Sequence, residues 1–586
     1  MYRAALFLFV SLFLSTQAQA RLQVDDPAIL QALEAKGFSF KNLALELPGA
    51  AVSNKKLFEN PAYKSIVLEI VSDLEAARRN DRTLAPSMRS THRLFDARWM
   101  YSASSSYELV GVVNRLDRAP FRAGTCGEIR FLYRLAYKDS KGTYSRLPLT
   151  FNVVYWAEPS ANNSCKEAAL VWEKFAKQPA STSSPASLRI SSLKSVEINL
   201  QSVRWPSTIR PDMGGYAEYI LRVFERRGDR FVAGTLENSP DVDKLQKDKT
   251  LKSRLLAWIQ DPKNLTLIDR GIAVLPEEFL AKKGLSVALD GTHRLANAPF
   301  HQLFTEEDFT NTVLFGRKNV RTPHGLLRRL NDLSCVGCHQ GRTVAGFHFL
   351  GIDRKETDAV NAIAMPSSPH FLRDQLRREE FQRALLEGSE AIADRALSVR
   401  ADKGEGGAGS HCGLGDLSFA SWTCKPGFEC RALIADDKVS RTGVCTPKSP
   451  IAGSFCQPGK ITHSLNPHFD KVSFSKEIAC RGGQFCEDTS VGFPGGMCSG
   501  GCEGLNEDEV CGSIAVLQSF NECLAKGKLT FARCLRENVR PGALARCSEH
   551  MPCRDDYICT RTGSGEGACI PPYFLFQLRV DGHPAP

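Results

Sequence analysis

The sequence predicts an α+β protein in three parts: a sheet-rich N-terminal domain, a small helical segment, and a disulfide-rich C-terminal region of small repeats. Three observations carry the prediction. Apolar runs separated by hairpin-type turns occupy much of the stretch from Leu94 to Leu236. A single C-x-x-C-H, Cys335-Val336-Gly337-Cys338-His339, follows leucines at helical spacing. Sixteen of the twenty cysteines lie between Cys412 and Cys569. The expected boundaries are a leader over 1–20, an α+β domain over 21–300, a small helical segment bearing the C-x-x-C-H over 301–398, a linker over 399–411, the cysteine repeats over 412–569 and a tail over 570–586.

The first twenty residues have the pattern of an export signal. Met1, Tyr2 and Arg3 make a short positive start, Leu6 to Leu14 is apolar, and Ala18-Gln19-Ala20 is a small-x-small cleavage site. The expectation is a periplasmic or extracellular protein cut after Ala20. The apolar run is short for a membrane span, and no later stretch has eighteen uncharged apolar residues, so none is expected. Lys and Arg are dispersed and the formal net charge is only +10, which argues against nucleic-acid binding. Twenty cysteines behind an export signal indicate an oxidising destination.

Residues 21–85 read as helical, with Ile66, Val67, Ile70, Val71 and Leu74 on one face. From Leu94 the pattern becomes strand-like. Leu109–Val113 is a short apolar run, and Arg130–Tyr137 and Leu147–Trp156 flank a Lys138–Gly142 turn. Cys126 and Cys165 are the two cysteines before the C-x-x-C-H, and the simplest reading is a disulfide across the sheet. A Ser/Ala/Pro-rich loop at 176–187 is followed by a strand over Val196–Val203 and a second hairpin, Tyr219–Phe224 with Phe231–Leu236. Then come a helix over Val242–Trp258 and a strand over Leu265–Ile268.

Thr322 and Pro323 are cap and first-turn residues for a helix carrying Leu326, Leu327, Leu330 and Leu333 on one stripe, which delivers Cys335 to its C-terminal end. A second helical stretch runs from about Pro369 to Leu397. Residues 401–410 read as a flexible linker. Beyond it, three four-cysteine units share a C-x5-C element and a closing Gly-x-Cys: Cys424/Cys430/Cys445, Cys480/Cys486/Cys498 and Cys553/Cys559/Cys569, led by Cys412, Cys456 and Cys547. Cys502, Cys511, Cys523 and Cys534 lie between the second and third units, with Leu517, Phe520, Leu524 and Phe531, as in a stapled helical hairpin. Units this small need disulfides, expected within each unit.

C-x-x-C-H is the haem c attachment signature. Two thiols spaced by two residues reach the two vinyl groups at one porphyrin edge, and the adjacent histidine reaches the iron. The competing readings are a plain disulfide or redox dithiol and a zinc site, for which no second ligand pair is near. The helix, the C-x-x-C-H, a Met365-Pro366 loop and a second helix together resemble a class I cytochrome c. That resemblance implies one covalent haem on Cys335 and Cys338, with His339 and Met365 as iron ligands. Only 25 residues separate His339 from Met365, so His348, His370 or an open distal position remain alternatives.

Asn114-Arg115-Leu116-Asp117 followed by Cys126-Gly127-Glu128-Ile129-Arg130 resembles a group of uncharacterised secreted bacterial proteins, over about residues 90–350. It implies no activity. Arg115, Asp117, Glu128 and Arg130 read as an ion-pair network on a sheet edge, with a functional site as the alternative. The cysteine units resemble EGF-like secreted modules in spacing alone. These readings point to an exported haem c electron-transfer protein with a redox partner protein and a tail that binds a surface or protein ligand. The alternatives are a haem peroxidase or oxygenase with an open distal site, and a secreted binding or adhesion protein in which C-x-x-C-H is only a disulfide. No G-x-S-x-G, H-E-x-x-H or P-loop pattern supplies another chemistry.

Overall fold

The computed structural model describes residues 22–80, 84–85, 94–140, 142, 144–162, 164–205, 216–288, 295–337, 369–397, 411–432, 441–448 and 583–586, together with Cys480, Val580 and five short strand pieces between 485 and 570. The protein is α+β, and its centre is an antiparallel sheet of eight strands. Strands β1 (Gln23–Val24), β2 (Ser105–Arg115), β3 (Glu128–Lys138), β4 (Tyr144–Ala157), β5 (Ile190–Trp205), β6 (Tyr216–Arg227) and β7 (Arg230–Ala233) lie in chain order. Strand β8 (Lys283–Ala288) pairs with β6 at Ala217–Arg222, while β7 pairs with Phe224–Arg227, so the two share one edge of β6.

Both expected hairpins form. Glu128–Lys138 pairs with Tyr144–Trp156, and β6 turns into β7 around Gly228-Asp229. Period-two side-chain alternation then divides the sheet into two unlike faces. The first carries Phe131, Tyr133, Leu135, Phe151, Val153, Val196, Ile198, Ile220 and Phe224, all buried. Against it pack α1 (Pro27–Leu33), α2 (Phe40–Leu45), α4 (Pro61–Asn80) and α5 (Lys166–Lys177), with α3 (Asn54–Leu57) at the side. Ile66, Val67, Ile70 and Leu74 face this core as their spacing requires. Residues 21–85 are thus mainly helical, with the two-residue strand β1 added to the sheet edge.

Several local expectations need correction. Leu265–Ile268 lies in a helix, α8 (Pro262–Arg270), not in a strand. Asp261 accepts from the backbone N–H groups of Lys263 and Asn264, Pro262 occupies the first turn, and Gly271 closes the C-terminus in the left-handed region, so the capping residues outweigh a four-residue apolar run. The helix over Val242–Trp258 is two, α6 (Val242–Lys247) and α7 (Lys249–Gln260), because Asp248 leaves helical geometry to cap the second. The Cys126–Cys165 disulfide forms, but it joins the start of β3 to the residue before α5 rather than two strands.

Helix α9 (Pro299–Leu303) and α10 (Pro323–Leu333) pack with α6–α8 around a second core containing Leu255, Ile268, Phe300, Phe309, Leu326 and Leu330. Helix α11 (Pro369–Glu387) lies against α5 and the turn after β2. Its helical geometry stops at Glu387, short of the expected Leu397.

In the C-terminal region β9 (His411–Gly413), β10 (Phe428–Ala432) and β11 (Thr442–Pro447) form a small sheet held by Cys412–Cys430 and Cys424–Cys445 disulfides. The pairing stays within the four-cysteine unit. The cross-strand register repeats along the chain: Cys430 faces Cys445, Cys486 faces Cys498, and Cys559 faces Cys569. Among the described residues, no helix is long and apolar enough to cross a membrane.

Candidate cofactor site

Helix α10 sets the position of Cys335. Thr322 Oγ1 accepts the Gly325 N–H at 3.0 Å and also bonds the Asp416 carboxylate at 2.9 Å, tying this cap to the first cysteine unit. The leucine stripe is buried as expected, but so is every other residue from His324 to Leu333, including Arg328, Arg329, Asn331 and Asp332. The buried charged side chains are hydrogen-bonded. Arg328 pairs with Asp332 at 3.2 Å, one helical turn on. Arg329 donates to the Ile268 and Asp269 carbonyls at the end of α8, at 2.9 and 2.7 Å, and to the Ala396 carbonyl at 2.9 Å. A cation on the last carbonyls of a helix is favoured by both hydrogen bonding and the helix dipole.

The chain leaves α10 through a fixed turn. Ser334 Oγ donates to the Asn331 carbonyl at 2.7 Å and accepts the Gly337 N–H at 3.0 Å. The Cys335 N–H donates to the Glu237 carbonyl at 3.2 Å and the Val336 N–H to Ser239 Oγ at 3.3 Å. Val336 packs with Leu221 and Leu236, and half-buried Cys335 packs against the same group. The motif therefore enters the molecule over the second face of the sheet, at β6. A Cβ on Gly284 of β8 would lie 2.3 Å from Val336 Cγ1, so only glycine lets Val336 approach this closely.

That second face is polar and buried. Arg115, Asp117, Glu128 and Arg130 form the expected ion-pair network, but not at an exposed edge: all four are nearly inaccessible, at the ends of interior strands β2 and β3. Around Asp117 stand Arg115 at 2.9 Å, Arg377 at 2.8 Å, Arg395 at 3.2 Å and Arg378 at 3.8 Å. Burial alone would raise the Asp117 carboxyl, but these guanidiniums hold it well below the usual carboxylate range. Glu128 is likewise desolvated and likewise held low, by Arg118 at 3.0 Å, Lys194 at 2.6 Å and Arg130 at 2.7 Å. Arg130 reaches Glu197 at 3.4 Å, and Asn152 donates to the same carboxylate at 2.7 Å. Burial and the neighbouring Arg115 bring Arg378 down to about 9.

Glu237 joins the two features. Its backbone carbonyl accepts from Cys335 and its carboxylate pairs with Arg118. One residue thus connects the first cysteine of C-x-x-C-H to the charged network. Glu237, Ser239, Arg118, Lys194, Glu197, Arg377 and Arg395 were not singled out by sequence. Their partners are distant in the chain, and charge-dense stretches such as Arg373–Arg383 read as solvated helix faces unless burial is known.

Of the predicted site residues, the structure places Cys335. Cys338, His339, Met365 and the alternative ligand His348 lie outside the described residues, and for His370 only the backbone of α11 is described. Among the described residues one further cluster has ligand spacing: Cys412, Cys424 and Cys445 have sulfurs within 4.8 Å of one another. Their sulfurs are committed to the Cys412–Cys430 and Cys424–Cys445 bridges, which leaves no thiolate to bind a metal.

No family model, curated protein or solved structure matches this chain. The site must be read from its own residues.

Proposed function

We propose that this chain is an exported c-type haem protein that passes electrons to a partner protein. The observation that carries the reading is the C-x-x-C-H whose first cysteine is delivered, by a helix buried from His324 to Leu333, to the Leu221–Leu236 patch of a buried sheet face. Cys335 and Cys338 would hold the porphyrin through thioethers, His339 would be the proximal iron ligand and Met365 the distal one. Bound haem would supply one-electron ferric/ferrous chemistry.

The residues present fit such a group. Arg134, on the same sheet face, is 3 % exposed, and its Nε and Nη1 have no hydrogen-bond partner among the described residues. A buried orphan guanidinium suits an anionic group brought from outside the chain. The protein's own contribution is to hold Cys335, Val336 and Gly337 through hydrogen bonds to Glu237, Ser239 and Ser334, with a buried, paired charge network joined on through Glu237 that need not reorganise when charge changes. The disulfides support an oxidising compartment. The leader over 1–20, a periplasmic or extracellular location and the tail's surface or protein ligand belong to the same proposal.

The test is expression with a working haem-ligation system, followed by haem staining of a denaturing gel. Wild type should stain, and Cys335→Ser with Cys338→Ser should not. Unstained wild type would refute the reading. Ferric and ferrous spectra of Met365→Ala then report the distal ligand: an unchanged spectrum removes Met365, and His348 is the next substitution.

A further inference from the structure

Antiparallel register places Glu108, Arg134, Thr150, Asn199, Leu221 and Gly284 in one row across six strands. The row has two occupied ends. At the β6–β8 end, Val336 sits over Gly284 and Cys335 packs beside Leu221. At the β2 end, the Glu108 carboxylate is engaged by the Tyr144 hydroxyl and by Arg146 Nε at 3.5 Å. Between them stands Arg134. Among the described residues it makes one hydrogen bond, Nη2 to Thr150 Oγ1 at 3.3 Å, while Nε and Nη1 are buried without a partner there. Gln201 Oε1 and Asn152 Oδ1, on the same face, are also buried without a donor among the described residues.

An unpaired buried guanidinium is strongly unfavourable. Its planar fork matches a carboxylate through two parallel N–H···O bonds. Arg134 lies three strand spacings from Leu221, about 14 Å along the sheet. A porphyrin anchored by thioethers at one edge carries its two propionate carboxylates at the other. Resting on the haem c reading, we propose that Arg134 is a carboxylate-binding residue whose ligand is a haem propionate, with Thr150 beside it in the same subsite. Burial and the nearby Arg146 lower the Arg134 guanidinium to about 10, as expected of a cation awaiting its counter-ion.

The experiment compares Arg134→Gln in two backgrounds of the full chain: haem-loaded, and haem-free through Cys335→Ser with Cys338→Ser. In the haem-free background the substitution removes a buried unpaired cation, and Tm should rise. In the haem-loaded background it removes the propionate's partner, and Tm should fall. The loaded variant should also favour the ferric state about tenfold more than wild type, a potential about 59 mV lower for one electron. Equal Tm changes in the two backgrounds, or an unchanged potential, would overturn the propionate assignment. A fall in Tm in the haem-free background would overturn the claim that Arg134 lacks a partner. If wild type carries no haem, the haem reading and the propionate source fail together, and sodium acetate becomes the probe. A saturable acetate-dependent rise in Tm, lost in Arg134→Gln, supports a free-carboxylate subsite; no such rise overturns the subsite itself.

Discussion

Gly337 is the second spacer of C-x-x-C-H, and the structure gives a reason for its size. A Cβ there would lie 2.1 Å from the Asn331 carbonyl oxygen, a backbone atom that cannot swing aside. Gly337→Ala should therefore displace the turn, costing about 1–3 kcal/mol and lowering covalent haem yield, read by Tm and by haem absorbance per protein. Asp117 shows the opposite relation between sequence and site. Its nearest charge, Arg115, is two residues away, but Arg377 and Arg395 arrive from 260 and 278 residues along the chain. Asp117→Asn would leave several guanidiniums buried with one counter-charge fewer, and urea unfolding should show a loss of about 3–5 kcal/mol. The C-x-x-C-H was legible because its chemistry is set by local spacing. The depth of Asp117 and the isolation of Arg134 were not, since both depend on what the fold brings around them.

At the scale of elements, hairpins and helix caps could be read where the deciding residues are adjacent. Thr322-Pro323 marks the start of α10, and the Lys138–Gly142 turn marks the β3–β4 hairpin. Thr322→Ala should cost about 1 kcal/mol for the cap alone, and more here because Asp416 loses its hydroxyl partner. The Leu265–Ile268 stretch misled because four apolar residues suit either a strand or a helix, and its caps decide the matter. The strand-end network also gives stability a pH dependence. Asp117 and Glu128 titrate lower in the folded protein than in the unfolded chain. Between those values the unfolded chain binds more protons, so stability falls with falling pH. The contribution is complete above the unfolded carboxyl values near ~4 and disappears as pH falls through the folded ones. Urea midpoints should therefore be flat near neutrality and drop below about pH 4, and Asp117→Asn should flatten that drop. A drop of the same size in the variant would remove Asp117 from the account.

The whole molecule combines a sheet-and-helix body with cysteine units closed by disulfides. The body's division into two faces was only half visible: alternation marks the apolar face of β3 and β4, but the other face is polar and buried where polarity normally signals solvent. Closing loops such as Cys412–Cys430 and Cys424–Cys445 is worth about 2–4 kcal/mol each in the unfolded-chain picture. Dithiothreitol should therefore melt the small β9–β11 sheet, seen as hydrogen exchange over 411–448, while a thioether-bound haem stays in place. The central claim is that Cys335 and Cys338 carry covalent haem, and the pyridine haemochrome spectrum of wild-type protein made with haem-ligation machinery tests it most directly. The account predicts a c-type haemochrome at one haem per chain, surviving dithiothreitol and absent from Cys335→Ser with Cys338→Ser. A wild-type protein with no haemochrome, or with haem extractable by acidified solvent, would contradict it.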